Sequence, residues 1–140
     1  DAFSKECTMT RQKILKTNGW FLVIVGFLQA IMTMVGRFTG NGILKQLYKE
    51  PLGAIGMFEG FMLAGLFGIV FIQVAKATDK LRFWNTIACF IHLTLGTANI
   101  IFWTDTFVAI DAQIPGTIAT ILHFAFAIVE GRMGLKKEKE

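Results

Sequence analysis

Four stretches of about twenty residues in which apolar side chains run almost without a break divide this chain of 140 residues. They extend from about Gly19 to Gly36, Ala54 to Ala75, Trp84 to Trp103 and Ile114 to Glu130. A bilayer has a hydrocarbon core about 30 Å thick, which a helix rising 1.5 Å per residue crosses in ~20 residues. The pattern therefore predicts four membrane-crossing helices. Trp84 and Trp103 bracket the third stretch and Trp20 opens the first, the usual place for aromatic residues at the membrane–water boundary. Pro51 and Pro115 fall near the starts of the second and fourth, where proline's missing N–H costs nothing. Residues 40–50, GNGILKQLYKE, are mildly amphipathic and predict a short helix lying in the interface.

Within the apolar stretches the polar positions keep a helical register. In the third, Asn85, Cys89, His92, Gly96, Asn99 and Trp103 are spaced 4, 3, 4, 3, 4, which is one helix face. In the fourth, Gly116, Thr120, His123, Ala127 and Glu130 repeat that spacing. The first stretch offers Gln29, Thr33 and Gly36, and the second offers Glu59 and Gln73, two heptads apart. Folding each hairpin at its loop brings His92 level with His123, and Asn85 level with Glu130. It also brings Glu59 level with Asn99 and Gln73 level with Thr86. Polar residues in a span are costly and turn toward the bundle interior. Three buried layers are thus expected: Gln29, Thr33, Glu59 and Asn99; His92 and His123; Gln73, Asn85 and Glu130. Gly56, Gly60, Ala64 and Gly68 form a ladder of small residues for close helix packing, internal or against another subunit.

Composition agrees with this picture. Apolar residues make up 54% and charged residues 17%, against about 25% charged in soluble domains, and mean hydropathy is +0.55. That excludes a soluble enzyme, a nucleic-acid-binding domain or a disordered chain as the whole molecule. Two cysteines, Cys7 in a polar segment and Cys89 in an apolar one, give no disulfide framework. The net charge of +4 belongs to the flanks. Eleven basic residues lie before the first stretch, between the second and third, and after the fourth; only Arg37, Lys45 and Lys49 lie on the other side. The positive-inside rule then puts both termini in the cytoplasm or its organellar equivalent. The expected fold is an all-α integral membrane protein, a four-transmembrane-helix bundle over 18–131. A polar, basic N-terminal tail (1–17) and a charged C-terminal tail (132–140) flank it. The first sixteen residues lack the apolar core of a signal peptide.

Candidate chemistry is sparse. His92 and His123, at one depth on facing stripes, are the residue types that ligate a b-type haem or line a quinone site. Against haem stands the 8–10 Å spacing of neighbouring helices. Glu59, a carboxylate inside an apolar stretch, is the candidate for proton-coupled transport. No three ligands share a layer for a metal, and no nucleophile–base pair or phosphate loop is present. The layout, with GILKQLYKEP followed by AIGMFEGFMLAG and later FIHLTLGTANIIFW, resembles the DoxX-like families of small four-helix membrane proteins. That resemblance implies four spans, an interfacial segment after the first and an acidic residue early in the second, and a place among subunits of redox complexes. The sequence reading is therefore a non-catalytic accessory subunit of a larger, bioenergetic membrane complex. No cofactor is expected, and the partners are membrane lipids and other membrane subunits or further copies, not nucleic acid. The location is a bacterial or archaeal cytoplasmic membrane or an organellar inner membrane. The alternatives are a redox subunit binding haem or quinone through His92 and His123, and a small oligomeric transporter using Glu59.

Overall fold

A computed structural model describes the backbone of residues 2–77 and 79–135 and the side chains from Thr10 onward within those ranges. The end of the C-terminal tail, residues 136–140, and the side chain of Cys7 lie outside the described residues. Four long helices follow one another: α1 (Ala2–Thr39), α2 (Pro51–Ala77), α3 (Leu81–Ile101) and α4 (Gln113–Leu135). No strand occurs among the described residues. A 3₁₀ turn, Lys45–Tyr48, stands where the interfacial helix was expected, and a π turn, Thr104–Val108, follows α3.

Local chemistry explains the breaks. Gly40 and Gly42 adopt φ of 65° and 81°, which ends α1 and turns the chain. Pro51 opens α2, and the first helical bond runs from Ala54 N to the Glu50 carbonyl. After α3 the backbone widens, with Ala109 N bonded to the Thr104 carbonyl and Ala112 N to that of Phe107. Asp111, at φ 55°, reverses direction into α4; aspartate tolerates this left-handed region better than most residues.

Among the described residues three helical segments are long and apolar enough to cross a membrane: Thr10–Thr39, Pro51–Ala77 and Gln113–Leu135. By the same measure α3 falls short, because Asn85, Thr86, His92, Thr94, Thr97 and Asn99 dilute its apolar run.

The helices pair as two antiparallel hairpins, α1 with α2 and α3 with α4, joined mainly by α1 lying against α3 and α4. The first hairpin closes on glycine. A β-carbon at Gly26 would lie 2.6 Å from Gly65 N and 2.7 Å from the Phe61 carbonyl, and one at Gly68 would lie 2.6 Å from the Gly19 carbonyl. As internal packing, the ladder expected at Gly56, Gly60, Ala64 and Gly68 is therefore corrected at its first two members. Gly68 is in the seam and Ala64 is half-buried, but Gly56 and Gly60 have nothing within 4 Å. The reason is angular. Every fourth residue advances about 40° past a full turn at 3.6 residues per turn, so Gly56 stands about 120° around α2 from Gly68. The real seam runs through Gly65, Gly68, Ile72 and Ala75.

Two apolar clusters tie the hairpins together. At the end carrying the termini, Leu15, Leu22, Phe71, Ala75, Leu81 and Ala88 form one, with Phe71 edge-on to Trp84 at 6.5 Å. At the opposite end, Leu44, Leu47, Ala54, Ile110 and Ala112 form the other, closing the two loops on each other. α1 continues without a break through residues 10–17, which the polar pattern assigned to a tail. Arg11 and Leu15 of that segment are buried.

Candidate functional site: a buried polar chain joining three helices

The stripe that carries Gln29, Thr33 and Gly36 on α1 extends backward in steps of 4 and 3 through Gly26, Leu22, Asn18, Leu15 and Arg11. All of these are buried except half-buried Gln29. On α3 the face through Asn85, Ala88, His92 and Gly96 is buried, and on α4 the face through Gly116, Ala127, Glu130, Gly131 and Gly134. These three stripes converge, and their polar members meet as a connected set.

His92 Nδ1 lies 3.0 Å from His123 Nδ1, and His92 Nε2 lies 2.9 Å from Asn18 Oδ1. Asn18 Nδ2 donates to Glu130 Oε1 at 2.9 Å. Asn18, His92 and Glu130 are each 0% exposed. The bond directions follow from donor arithmetic. The Asn18 amide donates to Glu130, so its oxygen accepts, and His92 Nε2 must carry the proton. Neutral His92 then accepts at Nδ1, so His123 donates from its own Nδ1. The result is one directed chain, His123 → His92 → Asn18 → Glu130, from α4 through α3 and α1 back to α4. Phe126 stacks on the His92 ring at 4.9 Å and 15°, and Phe21 packs on Phe126 at 5.0 Å, which walls the chain with hydrocarbon.

Further bonds surround it. Asn85 Nδ2 donates to the Leu81 carbonyl at 2.8 Å and the Arg11 carbonyl at 3.4 Å. Arg11 Nε donates to the Met133 carbonyl at 3.0 Å, and Arg82 Nε to that of Gly134 at 2.9 Å. Both arginines meet backbone carbonyls in the last turns of α4, where the helix dipole favours positive charge. Small residues let α3 and α4 approach: Gly96 meets Phe124 and His123, Gly131 meets the Cys89 sulfur, and Gly134 meets Thr86. Among the described residues two buried oxygens, Asn85 Oδ1 and Glu130 Oε2, have no hydrogen-bond partner.

The expected layers are rearranged. His92 and His123 are joined, and Asn85 and Glu130 are both buried at one end, but Asn18 rather than Asn85 bonds Glu130. The layer of Gln29, Thr33, Glu59 and Asn99 does not assemble. Thr33 bonds the Gln29 carbonyl within α1, and Asn99 Nδ2 donates to Thr120 Oγ1 at 3.2 Å. Glu59 and Gln73, expected in the interior, are both exposed. They do share a stripe, as their spacing requires, but glycine seating of α2 on α1 turns that stripe outward. Asn18 was missed because it sits at the boundary of the apolar run. Continuing the 4, 3 stripe back from Gln29 would have found it.

The two histidine rings meet through Nδ1 at 3.0 Å, and His92 Nε2, the nitrogen that ordinarily ligates a haem iron, is bonded to Asn18, so this arrangement leaves no room for a macrocycle between the rings. Among the described residues no three His, Cys, Asp or Glu side chains are placed to hold a metal ion. In comparisons with known proteins, no family model, no curated protein and no solved structure matches the chain.

Proposed function

We propose that this protein is a non-catalytic accessory subunit of a larger membrane assembly, with all four helices crossing the bilayer and both termini on the cytoplasmic or equivalent side. The observation that carries the reading is the outer face of α2. Glu59 is exposed there between Gly56 and Gly60, beside Leu63 at 55% and Ile55 at 56% exposure. Glu59 is eight residues into a 27-residue helix, inside the hydrocarbon zone of a centred span. A carboxylate facing lipid at that depth is costly, and it belongs against protein. Two glycines with open space beside it form a seat for a partner helix that presents a hydrogen-bond donor or a cation. The burial pattern of α3 supports its crossing. Asn85 and His92 point inward, while Phe83, Phe90, Ile100 and Ile101 are exposed. The basic flanks supply the orientation.

The test is photo-crosslinking from Leu63, exposed on the same face of α2, in native membranes, followed by gentle extraction and size-exclusion with absorbance read at 280 nm and across the Soret region. The accessory role predicts a single defined adduct and elution within a large assembly. Both should be lost in Glu59→Leu and Gly60→Leu and retained in Ile128→Leu on the exposed face of α4. A chain that elutes alone, with crosslinks only to lipid, overturns it. A Soret band on the isolated chain that His92→Leu removes would install the redox reading instead. Proton-driven flux by the purified chain in vesicles, abolished by Glu59→Gln, would install the transporter.

A further inference from the structure

Beside the aromatic wall of the buried polar chain, an open cleft of about 340 Å³ runs along the seam of α1 and α4. Leu122, Ala125, Phe126 and Val129 line it from α4, and Lys13 and Thr17 line it from α1. Ala125 makes the hollow. Its neighbours on the same helix face, Leu122 and Val129, are larger, so the surface dips between them. Phe126 is shared: the ring that lines the cleft also stacks on His92 and packs on Phe21. The Arg11 bond to the Met133 carbonyl pins the same seam nearer the helix ends that carry the termini.

Depth and charge give the cleft two unlike ends. Lys13 precedes the apolar run that starts at Gly19, which sets it at the level of lipid headgroups. Leu122 stands eight residues inside the apolar end of α4 at Glu130, about 12 Å deeper at 1.5 Å per residue. The rim is cationic. Lys13 and Lys16 are exposed on α1, and Arg132 is exposed on α4 one turn past Val129. Between Thr10 and Thr39 α1 has no Asp or Glu, and α4 has only Glu130, which is 0% exposed and accepts from Asn18. No exposed acid on either helix answers the rim.

We propose that this cleft binds one anionic phospholipid, its phosphate against Lys13 and Arg132 and one acyl chain along Ala125 and Phe126. Basic pockets between membrane helices on the cytoplasmic side suit such headgroups. A partner helix does not fit. One turn of a helix about 10 Å across and 5.4 Å high fills about 420 Å³, more than the cleft holds. Ala125 is also the one small residue among those lining it, so no second backbone comes close, unlike at Gly56 and Gly60 on α2. A flexible acyl chain meets neither obstacle. Once seated, it backs the Phe126 ring against His92 and tightens the junction of α1, α3 and α4. The proposal rests on α1 and α4 crossing the bilayer and not on the accessory role, so a failed crosslink from α2 leaves it standing.

The experiment is native mass spectrometry of the purified full chain, titrated with dioleoyl phosphatidylglycerol or dioleoyl phosphatidylcholine. Each Lys or Arg beside an anionic headgroup strengthens binding about fivefold. One phosphatidylglycerol should therefore bind about 25-fold more tightly than phosphatidylcholine. Lys13→Gln should weaken that binding about fivefold, and Lys13→Gln with Arg132→Gln should erase the preference. Ala125→Phe, which fills the hollow, should weaken both lipids alike. Lys76→Gln, at the end of α2 on the same side of the membrane, should change neither. Bound phosphatidylglycerol should also raise the melting temperature of the parent and not of the double variant. Equal affinity for the two lipids overturns the proposal, as does a loss in Lys76→Gln as large as in Lys13→Gln. Unchanged affinity in Ala125→Phe, or a second copy of the chain retained in place of lipid, overturns it as well.

Discussion

The α1–α2 seam and the polar chain across α1, α3 and α4 solve the same problem by opposite means. Lipid is as apolar as leucine, so the hydrophobic effect does not drive helices together inside a bilayer. The seam uses absence: Gly19, Gly26 and Gly68 bring backbones so near that a single methyl group would strike peptide atoms, and one at Gly65 would press on the Phe27 ring. The polar chain uses direction: His123, His92, Asn18 and Glu130 fix three helices by bonds of 2.9–3.0 Å. The seam should thus be intolerant of volume and indifferent to polarity, and the chain the reverse.

The largest effect is expected from volume in the seam. Gly26→Val places carbon against Gly65 N and the Phe61 carbonyl, neither of which can move aside, and should cost about 3 kcal/mol in a detergent unfolding titration. A loss under 1 kcal/mol would show that the hairpin is not seated this way.

Next comes polarity in the chain. Asn18→Leu keeps the volume close but orphans His92 Nε2 and Glu130 Oε1, and should cost about 1–3 kcal/mol. The double variant Asn18→Leu, Glu130→Leu should recover part of that loss, because an apolar pair leaves fewer orphans than a broken one. A coupling energy near zero in the double-mutant cycle would separate the two residues. The smaller bond from Asn99 to Thr120 offers a third measure. Thr120→Val should cost about 0.6 kcal/mol, the usual value of a membrane polar pair.

Much of this was legible before the fold was known, and particular residues show where legibility ended. The 4, 3 spacing of Asn85, Cys89, His92, Gly96 and Asn99 named a face of α3, most of which is buried. His92 and His123 were matched in depth by counting from their shared loop, and their rings lie 3.0 Å apart at Nδ1. The same counting failed for Glu59 and Asn99. Depth was not the error. Azimuth was, since nothing in α2 distinguishes a face that meets α1 from one that meets lipid. Gly56 and Gly68 read as one ladder and stand on different sides of the helix.

The smallest expected effect sharpens that point. Gly60→Val fills open space and should change the stability of the isolated chain by less than about 0.5 kcal/mol, while removing the crosslinked partner. A large loss of stability in the isolated chain would mean that Gly60 already packs internally.

The amino-acid pattern by itself determined four helices and the residues that share each stripe, because 3.6 residues per turn and the thickness of a bilayer leave little freedom, but it missed the extension of α1 back through residues 10–17. Only the tertiary structure decided which stripes face one another. In water an apolar face points inward, but in lipid inside and outside are equally apolar, so helix rotation is set by contacts that exist only after the helices meet. Asn18 reaches Glu130 across 112 residues of chain for that reason, and Glu59 looks outward for the same one.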